Sequence, residues 1–81
     1  MNLIEVVSSN IHSIGYDDNT GILVVKFRGA GGTYEYDRVP KTEYENLLNA
    51  ESVGGYFSSK IRNKYVTRKV QPLVLVDHLA E

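Results

Sequence analysis

There is no cysteine and no tryptophan among these 81 residues, and proline occurs only twice. Without thiols the chain can form no disulfide, and zinc held through thiolates is excluded. Long apolar runs are also missing. The longest, Pro72 to Val76, falls far below the ~20 residues that a membrane-spanning helix needs. The start, Met1-Asn2-Leu3-Ile4-Glu5, has neither the basic region nor the apolar stretch of a secretory signal. These absences predict a cytoplasmic chain with no membrane partner. The length predicts one domain. A chain this short buries only about 60–65% of its unfolded surface, so its stability margin is thin.

Charge is distributed unevenly. Residues 1–51 carry four basic and eight acidic side chains. Residues 52–76 carry five basic side chains, Lys60, Arg62, Lys64, Arg68 and Lys69, and no acidic one. Such a split has two readings. One is a solvated helix face beside acidic neighbours. The other is a patch for an anion or nucleic acid. The pI of about 6.1 argues against strong unspecific nucleic-acid binding but leaves a local patch open.

Periodicity supplies the elements. Leu3, Ile4, Val6 and Val7 suit an edge strand, and Ile11 to Tyr16 a first full strand. Asp17-Asp18-Asn19-Thr20-Gly21 is a turn, since these residues tolerate left-handed backbone. Ile22 to Arg28 alternates, with Leu23, Val25 and Phe27 on one face. Gly29-Ala30-Gly31-Gly32 closes a hairpin, and Thr33 to Val39 makes a third strand with Tyr34 and Tyr36 on a common face. Pro40 suits a helix start, and Tyr44, Leu47 and Leu48 follow helical spacing. Ser52 is an N-cap for a second helix, in which Val53, Phe57, Ile61 and Tyr65 form the apolar stripe. Val66 to Val70 and Pro72 to Val76 read as extended. The expected fold is α+β: a three-stranded antiparallel meander packed by two helices, with an additional C-terminal strand. Leu23, Val25, Phe27, Leu47, Leu48, Phe57 and Ile61 are the expected core.

Catalytic chemistry finds little footing. His12 and His78 are far apart in sequence, and no third residue at a recognisable spacing orients a His12–Ser13 pair. The glycine-rich loop at 29–32 matches neither a P-loop nor a dinucleotide fingerprint. Asp17, Asp18 and Asn19 lack the remaining ligand positions of a calcium loop. The reading is a non-enzyme without cofactor or metal.

Ser8-Ser9-Asn10-Ile11 followed by Ile14-Gly15-Tyr16-Asp17, then Leu23 to Phe27, Tyr34-Glu35-Tyr36, Val39-Pro40, Tyr44, Leu47-Leu48, Ser52 to Phe57 and Ile61 to Tyr65 succeed one another in an order that resembles the KTSC domain family. The likeness spans about residues 8–65 and leaves 66–81 as an extension. The resemblance implies a domain found at the C-terminus of some lysyl-tRNA synthetases and as single-domain proteins of bacteria and phages, one suspected of binding RNA.

Three functions remain open at this point. The first is binding of RNA or another phosphate-bearing ligand through a basic second-helix patch and tyrosines. Its candidate residues are Arg28, Tyr34, Tyr36, Arg38, Gly54, Gly55, Tyr56, Lys60, Arg62 and Lys64. Tyrosines offer stacking faces, cations meet phosphates, and Gly54 and Gly55 permit close backbone approach. Tyr56 is the expected exposed aromatic, while Tyr34 and Tyr36 equally suit packing beneath a helix. The second is a homo-oligomeric sponge for a nucleotide immune signal, of phage type. The third is a protein-interaction module docking through an edge strand, with Pro72 to Val76 as a possible assembly element.

Overall fold

The computed structural model describes residues 3–70. Five strands form one antiparallel sheet in sequence order: β1 (Ile4–Glu5), β2 (Ile11–Asp17), β3 (Ile22–Phe27), β4 (Thr33–Tyr36) and β5 (Thr67–Lys69). Between β4 and β5 the chain makes helix α1 (Lys41–Asn49) and helix α2 (Val53–Tyr56), and α2 runs on into a π-helical turn at Phe57–Ile61. The expected meander of three strands is therefore a sheet of five. The lead-in segment adds β1 at one edge. The stretch after the helices returns to add β5 at the other. The Pro72 to Val76 run lies outside the described residues.

Register explains which residues are buried. Side chains on directly paired residues share a face. Ile14, Val25, Tyr34 and Lys69 make one rung, and Tyr16, Leu23, Tyr36 and Thr67 the next. This face carries the helices. The spacing Ile11–Ile14–Tyr16 breaks simple alternation. A bulge between Ile11 and Ser13 absorbs the extra residue, so Ile11 pairs with Phe27 and joins Ile14 in the core. The opposite face carries Gly15, Val24, Glu35 and Arg68 in a rung.

The core comprises Ile11, Ile14, Leu23, Val25, Tyr36, Val39, Leu47, Val53, Phe57 and Ile61. Phe27 and Leu48, expected in it, are half-buried and pack against its margin. Both lie where cover thins. Leu48 is on the flank of α1, and Phe27 is at the end of β3 beside the Gly29–Gly31 turn, which is 3-10 helical. Gly31 packs so tightly there that a Cβ would stand 2.7 Å from that of Phe27.

Two chain reversals fix the helices over the sheet. After β4 the chain turns at Arg38, which takes a left-handed φ of 56°. It is held there from both sides: the Asp37 N–H donates to Val66 O, and the Val39 N–H donates to Gly21 O. Pro40 then caps α1. At α2 the Ser52 hydroxyl accepts from the Gly55 N–H at 3.0 Å. Glu43 ties the layers together by accepting from the hydroxyls of Tyr56 and Tyr65, with Lys64 Nζ at 3.6 Å.

Candidate functional site

The π-helical turn sets the site's geometry. The Arg62 N–H donates to Phe57 O at 2.9 Å, five residues back rather than four. A π turn adds one residue to the circuit of the helix. Phe57 and Ile61 keep their seats in the core. Arg62 and Asn63 fall on the flank that Gly54 and Ser58 begin, and all four line a cleft between this helix and the sheet.

The cleft has a volume of about 560 Å³. Its aromatic wall comprises Phe27, Tyr34, Tyr36 and Phe57. These rings brace one another edge to face: Phe27 to Tyr34 at 5.8 Å, Phe27 to Phe57 at 5.5 Å and Tyr36 to Phe57 at 5.5 Å between centroids. The polar lining includes Asn10, Ser58, Asn63 and Thr67, and Arg62 is its one charged side chain among the described residues. Lys69 pairs with Tyr34 across β4 and β5, so it projects from the same face of the sheet.

The tyrosines divide by the fate of their hydroxyls. Those of Tyr16, Tyr56 and Tyr65 are engaged by Val39 O and the Glu43 carboxylate. Tyr16 also stacks on Tyr44, with 4.9 Å between centroids and 12° between planes. Tyr34 and Tyr36 instead line the cleft. Burial pushes the Tyr36 hydroxyl up to about 12; Tyr34 beside it acts in the same direction and Arg62 in the other. Tyr36 thus stays a neutral hydrogen-bond donor, with a second hydroxyl and a guanidinium as neighbours.

The candidates from sequence are dispersed. Tyr34, Tyr36, Gly54 and Arg62 meet in the cleft. Arg28 and Gly55 line a neighbouring groove, and the Arg28 Nε–H donates to Ser8 O at 2.8 Å. Tyr56, expected to be exposed, is half-buried with its hydroxyl on Glu43. Lys60 and Lys64 lie along the outer side of the helix with Ser58, Ser59 and Asn63. Arg38 belongs to the turn below, beside Asp37 and Tyr65.

The basic run from 60 to 69 is not one patch. Pleating sends Arg68 to the opposite face of the sheet from Lys69. There its guanidinium donates twice to Asp37, at 2.7 Å each, and once to Glu35 at 3.2 Å. Arg68 accordingly holds the Asp37 carboxyl below the usual carboxylate range. Lys64 is matched by Glu43. Acids from distant sequence neutralise cations whose own segment has none. Of the two readings of this charged segment, the pairing of Lys64 and Arg68 supports the one with acidic neighbours. The sequence reading also passed over Asn10, Ser58, Asn63 and Thr67. Ser58 had a usable signal, since Gly54, Ser58 and Arg62 recur at four-residue spacing beside the apolar stripe. Asn63 had none, because the π turn brings it round.

Among the described residues no group of three or more His, Asp or Glu side chains is placed to hold a metal ion. No helix among them is long and apolar enough to cross a membrane.

The KTSC domain profile matches residues 7–65. The chain belongs to the KTSC domain family. The crystal structure of a KTSC domain protein from Yersinia pestis superposes with a TM-score of 0.83 at 38% identity, covering 86% of this chain and 97% of that one. An uncharacterized protein of Stutzerimonas stutzeri is 34% identical over 65 residues, 80% of this chain and 90% of its own. A lysine–tRNA ligase of Nostoc punctiforme is 35% identical over 63 residues, which are 78% of this chain but only 11% of the ligase. That match is confined to a small domain of a much larger enzyme, and no catalytic role passes with it.

Proposed function

We propose that this KTSC domain is a non-catalytic binding module that takes a nucleotide unit, as found in RNA, in the cleft between the second helix and the sheet. The observation that carries the reading is the meeting of Tyr34, Tyr36 and Arg62 in one cavity. A nucleotide joins a flat ring to an anion. The half-buried ring of Tyr34 offers a stacking surface worth about 1–3 kcal/mol per base, while Tyr36, 3% exposed and braced on Phe57, shapes the wall of the cavity. The guanidinium of Arg62 matches phosphate oxygens in two-pronged geometry. Asn10 and Asn63 bring amides, which donate and accept at base edges. The likeness to a domain of lysine–tRNA ligases, enzymes named for a tRNA substrate, favours RNA as the source of the unit.

Titration of the protein with a short mixed-sequence single-stranded RNA tests the reading. Saturable binding that Arg62→Ala weakens, with the fold unchanged by circular dichroism, supports it. Absence of binding rejects it. Attention then passes to protein docking at the β1 edge, where Leu3, Ile4 and Val7 are exposed.

A further inference from the structure

The cleft does not end at the helix. A second, more open groove lies beside it, and Asn10, Gly54 and Ser58 line both. Gly54 keeps the join low, since a Cβ there would stand 3.2 Å from the Ser8 hydroxyl oxygen. The two cavities differ in charge. Among their described lining residues, the cleft has Arg62 alone, whereas the groove has Arg28, Glu5 and Glu51. One guanidinium N–H of Arg28 is spent on Ser8 O. Among the described residues its other donors have no hydrogen-bond partner, so they can meet a ligand.

From this we infer that the full ligand is two nucleosides joined by one phosphodiester, the first ring in the cleft and the second nucleoside in the groove. The inference rests on the nucleotide reading of the cleft and extends it. The charges select against clustered phosphates. A second phosphate passing beyond Arg62 would approach Glu5 and Glu51, which repel it. Carboxylates accept hydrogen bonds, so the groove suits ribose hydroxyls and exocyclic amines better than anions. A single phosphodiester crossing the join at Gly54 and Ser58 leaves the neutral sugar and base of the second unit to the groove. The unit is the same in a free dinucleotide and within a longer RNA strand.

Calorimetric titration of the full chain separates the possibilities. The probes are adenylyl-adenosine and uridylyl-uridine (each with one phosphodiester), AMP, UMP, ADP and UDP, together with a ten-nucleotide RNA. For at least one base, the dinucleoside monophosphate is expected to bind at least about fivefold more tightly than its mononucleotide, the return of about one net hydrogen bond made by the second nucleoside in the groove. The nucleoside diphosphate gains nothing over the monophosphate. Arg28→Ala is expected to weaken the dinucleoside more than the mononucleotide and so shrink its advantage, with an unchanged circular dichroism spectrum showing that the fold survives the loss of the bond to Ser8 O. A decamer binding per site as the dinucleoside does points to RNA or free dinucleotide alike, and a markedly tighter decamer points to a strand. Equal binding of mononucleotide and dinucleoside, or a gain with the diphosphate, overturns the two-unit inference and leaves the cleft reading standing. Failure of every probe to bind overturns both.

Discussion

Tyr36 shows how one residue serves core and cleft together. It is 3% exposed and braces Phe57, yet it reaches the cavity. Its ionisation is pushed from 10.0 to about 12. A folded-state value above the unfolded one means that the unfolded chain releases its proton first as pH rises. The stabilisation is thus whole below about pH 10 and is lost between about pH 10 and 12. Tyr44, Tyr56 and Tyr65 are shifted in the same direction and add to the effect. Tyr36→Phe should therefore lessen, without abolishing, the fall in melting temperature across this window. An unaltered alkaline profile would show that the Tyr36 hydroxyl is not desolvated. Sequence placed Tyr34 and Tyr36 on one face but could not say whether helix or ligand covers them. That depends on Phe27 and Phe57 packing around them across long sequence separations.

At the scale of elements, the second helix joins structure to site. Phe57 is 4% exposed, and truncating a buried phenylalanine typically costs about 3–5 kcal/mol. That approaches the whole stability of a small domain. Phe57→Ala should thus leave the chain largely unfolded by chemical denaturation, and a barely shifted midpoint would place this side chain outside the core. Glu43 belongs to α1 but accepts from two tyrosines of the chain that follows. Losing hydrogen bonds to a charged group should make Glu43→Ala cost about 1.5–3 kcal/mol. Glu43→Gln should recover part of this, read in the same denaturation experiment. The four-residue repeat of Val53, Phe57 and Ile61 made the helix legible in the sequence. The π turn within it was not, because nothing in Phe57-Ser58-Ser59-Lys60-Ile61 announces an i to i+5 bond. The edge strand and the additional C-terminal strand were legible as extended segments, but not as members of one five-stranded sheet. β1 and β5 are only two and three residues long and are defined by their partners rather than by their own alternation.

Over the whole molecule, folding rearranges what the charge pattern suggested. A segment with five cations and no acid looks like a phosphate surface. Antiparallel pairing sets Arg68 against Glu35 and Asp37, and α1 sets Glu43 against Lys64. Arg62 faces an aromatic cavity. A ligand held through one phosphate should then show a shallow salt dependence, with a log–log slope near the ~0.7 per phosphate of single strands. A slope several times steeper would mean that many cations act together.

The central claim is that the cleft, not the outer basic face, holds the ligand. The most direct measurement is titration of one short single-stranded RNA against the wild-type chain, Arg62→Ala, and the double variant Lys60→Ala with Lys64→Ala, all shown to be folded. A charge-assisted contact worth about 1.5–3 kcal/mol corresponds to at least about tenfold in affinity. Arg62→Ala should lose that much, while the double variant should stay within about twofold of wild type, as surface changes usually do. Loss of binding in the double variant with Arg62→Ala unaffected would contradict the account.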